Sequence, residues 1–107
     1  MALQQMTVQE IVQTGLNPTF EAANSDGNFF SNNGKTFLVV KNGGASPVTV
    51  TVDSKIKCDQ GFDHDLPVDV PASEERWIGP FEVGRFTGSV EATYSAVTDV
   101  TVAAFKI

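Results

Sequence analysis

The chain has 107 residues, a formal net charge of −6, 41% apolar residues and 19% charged residues. A chain of that length and balance is one globular domain that buries roughly two thirds of the surface its unfolded form exposes, which excludes global disorder and any need for disulfides. Its seven Lys and Arg are spread thinly between Lys35 and Lys106, so the surface repels phosphate backbones, and neither nucleic acid nor an anionic membrane is an expected partner.

The single cysteine, Cys58, has no internal partner, and a reducing cytoplasm is the simplest place of synthesis. The opening residues MALQQMTVQEIVQ carry neither a basic leader nor a continuous apolar core. No later stretch reaches the roughly 18 apolar residues of a membrane span, and a soluble chain is expected.

Residues 1–18 are Gln-rich and close on Gly15 and Asn17-Pro18. Thr7-Val8-Gln9-Glu10 fits a capping box opening one helical turn, while the spacing of Met6, Val8 and Ile11 fits neither a helical nor a strand period. An arm and an edge strand both remain open. After Pro18 come a short extended piece, Thr19 to Ala23, a turn cluster at 24–28, Phe29-Phe30, and a second turn at 31–34.

The run TFLVVKNGGASPVTVTV, Thr36 to Val52, reads as a hairpin turning at Asn42-Gly43-Gly44. Phe37 to Val40 are apolar at consecutive positions, so that strand belongs mid-sheet or covered on both faces. Val48, Val50 and Val52 alternate with Thr49 and Thr51, which predicts one wet face. Residues 53–66 read as a charged loop, Val68 to Val70 and Arg76 to Ile78 as short extended pieces, and Gly79-Pro80 as a bend. Val90, Ala92 and Tyr94 alternate towards a core, and 95–99 suits a hairpin loop to a last strand, Val100 to Phe105.

About eight short strands without a long helical pattern predict an all-β fold, an antiparallel β-sandwich or small jelly roll. The domain is 19–107, with 1–18 as an N-terminal arm or edge segment.

The sequence offers few chemical groups in productive patterns. Gly34-Lys35-Thr36 ends like a phosphate-binding loop, but position 29 is Phe where that motif needs Gly. Asn24, Asp26 and Asn28 have the spacing of three calcium ligands, yet Phe29 and Lys35 occupy the positions that need glycine and a bidentate acid. Asp59, Asp63, His64 and Asp65, beside Cys58, form the densest set of possible ligands. One Cys and one His fall short of a zinc site, and a solvated acidic loop explains them. His64 also has no recognisable nucleophile and orienting group, and Glu74, Glu75, Glu82 and Glu91 stand on a domain too small for an ample cleft. No catalytic residue, metal site or cofactor is expected. Trp77 is expected in the core, the commoner fate of a strand-centre Trp, and so is Tyr94.

The order of TVQEIVQTGLNPTFEAAN, DGNFFSNNGKTFLVVKNGG, VPASEERWIGPF and VEATYSAVTDVTVAAFKI resembles small proteins encoded in the structural gene modules of tailed bacteriophages and prophages. Among these it is similar in kind to head decoration, or cement, proteins. The resemblance implies a β-rich homo-oligomer on the capsid exterior, made in the host cytoplasm, whose partner is the major capsid protein. Trimers suit three-fold lattice positions. With it, Leu3, Met6, Val8, Ile11 and Val12 become candidates for an interface with a neighbour. A head-to-tail adaptor or tail component is the alternative within the virion. A carbohydrate-binding module is the alternative of another class, and it requires an exposed Trp77 or Tyr94.

Overall fold

The computed structural model describes residues 3–53, 66–81 and 88–106. The segments containing Cys58, the 59–65 acidic cluster and Glu82 lie outside these residues. Among the described residues ten strands follow in chain order: β1 (Gln4–Gln5), β2 (Val8–Glu10), β3 (Glu21–Ala22), β4 (Asn28–Ser31), β5 (Thr36–Asn42), β6 (Val48–Val52), β7 (Leu66–Val70), β8 (Glu75–Ile78), β9 (Ser89–Tyr94) and β10 (Val100–Lys106). No helix among the described residues is long and apolar enough to cross a membrane.

The strands form two sheets packed face to face, a β-sandwich. The first has the order β1-β4-β9-β6-β7. In the second, β2 and β3 both pair with β10, followed by β5 and then β8. The sheets are mixed, a departure from the wholly antiparallel arrangement expected: β1 runs parallel to β4, and β2 parallel to β10. Parallel partners need long connections, and the N-terminal strands meet β4 and β10 only after the chain has gone round the domain.

The two expected hairpins are absent. β5 lies in the second sheet and β6 in the first, and β9 and β10 are divided in the same way. Residues 43–47 and 95–99 are arches that carry the chain from one sheet to the other. Strand alternation says which side chains face inward, and a hairpin and an arch share that pattern. Asn42 supplies the difference. Its side chain is buried and donates from Nδ2 to the carbonyls of Ser46 (2.8 Å) and Val70 (3.1 Å), while Oδ1 accepts the Gly44 amide (3.0 Å). The two arches touch, since the Gly43 amide donates to the Asp99 carbonyl at 2.9 Å.

Between the sheets lies a core of Phe30, Leu38, Val40, Val50, Val52, Val70, Phe81, Val90, Val102 and Ala104, among others. Residues 3–10 close one side of it. β1 extends the first sheet, β2 lies along the second, and Met6 between them is buried in the core with its amide bonded to the Phe29 carbonyl at 2.8 Å.

Candidate functional site

The outer faces of the two sheets differ in kind. On the first, Thr49, Thr51 and Thr93 stand with Asp69 and Pro67, a half-buried Phe29 lies opposite Glu91, and Thr49 Oγ1 donates to Asp69 Oδ1 at 3.0 Å. This is the wet face that the Val/Thr alternation predicts. On the second, β5 directs Leu38 and Val40 into the core and Phe37 and Val39 outward, where Val39, Ala103 and Phe105 form a separate apolar cluster. The consecutive apolar residues of β5 thus serve a strand covered on both faces.

Register sets the geometry of this second cluster. Phe37 is opposite Phe105 across β5 and β10, and Val39 is opposite Trp77 across β5 and β8. The Phe37 and Phe105 rings are 5.7 Å apart, and Trp77 stacks on both, at 5.5 Å and 18° to Phe37 and at 6.3 Å and 15° to Phe105. Phe20 meets Phe105 edge-on at 6.0 Å. The Lys41 ammonium lies 4.1 Å from the centre of the Phe20 ring, a cation–π contact.

Trp77 is not a core residue; it is 63% exposed. Neighbours on a strand face opposite ways, and Ile78 takes the inward position with 5% exposure. The indole N–H donates to Glu75 Oε2 at 2.9 Å, which fixes the ring as a ridge standing on the aromatic cluster. A cleft of about 280 Å³ lies on one side of the ridge, lined by Leu16, Phe20, Lys41 and Glu75. On the other side is one of about 610 Å³ lined by Lys35, Phe37, Ile78 and Pro80. Ile11 lines both.

The five N-terminal candidates fall in different places. Met6 is buried, Val8 packs against the core, and Leu3 is half-buried beside Gly27. Ile11 and Val12 are exposed, at 41% and 45%. Together with Trp77 they make up the exposed large apolar side chains among the described residues. Sequence reasoning missed Phe20, Phe37 and Phe105 as part of a site, although the doubly apolar pattern of β5 already required something on its second face.

The remaining motifs are turns. Asn24 Oδ1 accepts the Asp26 amide at 2.8 Å, and Asn28 Oδ1 accepts the Asn24 amide at 3.1 Å and the Tyr94 hydroxyl at 2.8 Å. Gly34 and Lys35 donate their amides to Asn32 and Asn33 side chains at 3.0 and 2.9 Å, an Asx turn leading into β5. Tyr94 packs against the core, where burial, reinforced by the Glu21 carboxylate, pushes its phenol well above the usual range. Among the described residues no group of three or more His, Cys, Asp or Glu is placed to hold a metal ion.

Comparison of the chain with known protein families, curated proteins and solved structures returned no match.

Proposed function

We propose that this chain is a structural protein of a tailed-phage virion, a decoration or cement protein. In this reading it binds the exterior of the head as a homo-oligomer, contacts the major capsid protein, and stabilises capsomer contacts by adding interface area. The single observation that carries the reading is the two-faced sandwich. One outer face carries Thr49, Thr51, Thr93 and Asp69, and the other sets Trp77 and Ile11 beside an aromatic cluster. Exposed apolar side chains concentrated on one face mark a surface for a protein neighbour. The sequence resemblance supplies the kind of assembly, and repetition on a lattice lets individually weak contacts hold.

The test is cosedimentation of the purified chain with mature heads and with expanded capsids. Saturable binding to either supports the reading, and recovery of all the protein in the supernatant with every capsid form overturns it. Because β1 and β2 belong to the two sheets, removal of residues 1–14 would damage the fold. Ile11→Asp, in the wall of both clefts, is the better probe of the apolar face. The exposure of Trp77 favours a second reading, a carbohydrate-binding module. Binding of oligosaccharides on a glycan array, lost in Trp77→Ala, would support that reading instead.

A further inference from the structure

We propose that the Trp77 face binds a second copy of this chain about a two-fold axis. The inference rests on the reading of the chain as an oligomeric assembly protein, and it assigns the occupant and the symmetry of this face.

Three observations carry it. The first is shape. A two-fold contact uses the same patch on both partners, so the patch must contain both a ridge and a groove. Trp77 is such a ridge, flanked by clefts of about 280 and 610 Å³.

The second is the chemistry of the occupant. Apart from Lys35, Lys41 and Glu75 the side chains lining these clefts are apolar, so they suit a flat apolar group. A sugar brings many hydroxyls and requires several placed polar partners. Among the described residues the exposed large apolar aromatic side chain is Trp77 itself. A second copy therefore brings the group that the groove takes, and Trp is among the residue types enriched at interface hot spots.

The third is charge. Lys41 and Glu75 are opposite each other in the β5–β8 register, and both are exposed. Lys41 leans over Phe20 and Glu75 turns one oxygen to the indole N–H. An ammonium has three donors and a carboxylate about four acceptor sites, so each retains capacity for another partner. A two-fold axis lying in the contact plane and running between β5 and β8 sets Lys41 of each copy against Glu75 of the other, making the rim complementary to itself.

The experiment is sedimentation velocity on the full chain at about 100 µM, where a contact of micromolar Kd is nearly saturated. Wild type is expected to sediment as a dimer, and Trp77→Ala is expected to weaken association by about 30-fold or more. Lys41→Glu and Glu75→Lys are each expected to be monomeric, because each faces like charges across the axis. An equal mixture of these two variants is expected to form a heterodimer, since both cross-axis pairs then become attractive. Rescue on mixing cannot come from damage within one chain, and circular dichroism confirms that each variant is folded.

A wild-type monomer at this concentration overturns the inference, as does a trimer, or a dimer indifferent to all three substitutions. A monomeric wild type whose Trp77 emission responds to an oligosaccharide overturns it in favour of the glycan reading. Capsid binding by a monomeric wild type would overturn the inference while leaving the decoration role standing.

Discussion

Trp77 lies nearly parallel to Phe37, with ring centroids 5.5 Å apart and 18° between the planes. One face of the indole is thereby spent on the protein's own aromatic cluster and the other is presented outward. The ring is consequently both a structural lid and an exposed apolar surface, and substitution there separates the two roles. Trp77→Ala is expected to lower stability by only about 1 kcal/mol, the worth of an aromatic pair on a largely exposed side chain. Urea unfolding followed by circular dichroism measures it. Diluted well below the Kd of self-association, the folded wild type should also show the red-shifted emission of a solvated indole, since Trp77 is the sole tryptophan.

Asn42 should be far more sensitive. Asn42→Ala removes the donor shared by the Ser46 and Val70 carbonyls and the acceptor of the Gly44 amide. Leaving buried polar groups unpaired costs about 1–3 kcal/mol, and the expected loss is at the upper end of that range. A fall in the denaturation midpoint at unchanged m-value would show it.

Gly79 has φ of 128°, and a Cβ added there would stand 2.8 Å from Phe37 Cβ. Gly79→Ala combines backbone strain with a clash beneath the aromatic cluster, and it is expected to destabilise the fold by more than about 1 kcal/mol. Thermal unfolding of the variant tests this, and the effect should exceed that of Trp77→Ala.

Tyr94 gives an alkaline signature. Its folded-state pKa is raised above the ordinary value of about 10, so above that pH the unfolded chain loses a proton that the folded chain keeps. The associated stability is complete below about pH 10 and declines as pH rises beyond it. Tyr94→Phe should lose about 1 kcal/mol at neutral pH with the hydrogen bond to Asn28, and it should show a shallower decline in alkali. Urea midpoints between neutral pH and strong alkali distinguish the two proteins.

The fold class was legible because alternation at Val48, Val50 and Val52, and its absence at Phe37 to Val40, report directly on faces. Strand partners were not. Asn42 ends one strand and Asp99 precedes another, each beside a segment that looks like a hairpin loop, and the choice between hairpin and arch depends on contacts distant in sequence, such as Asn42 to Val70. The pairing of β2 with β10 is equally remote, joining residues 8–10 to 104–106.

The site was legible in part. Ile11 lines both clefts beside Trp77, whereas Met6 has the same apolar character and fills the core. Trp77 was assigned inward because a strand-centre Trp is usually buried. The adjacent Ile78 could claim the same inward position, and parity allows only one of the two. Burying Ile78 leaves the indole on the outer face, where Phe37 and Phe105 already lie.

Cosedimentation with purified capsids tests the central claim most directly. The decoration role predicts that wild type pellets with mature or expanded heads to a saturable stoichiometry, and that Ile11→Asp, folded by circular dichroism, pellets less. Wild-type protein that stays in the supernatant with every capsid form would contradict it.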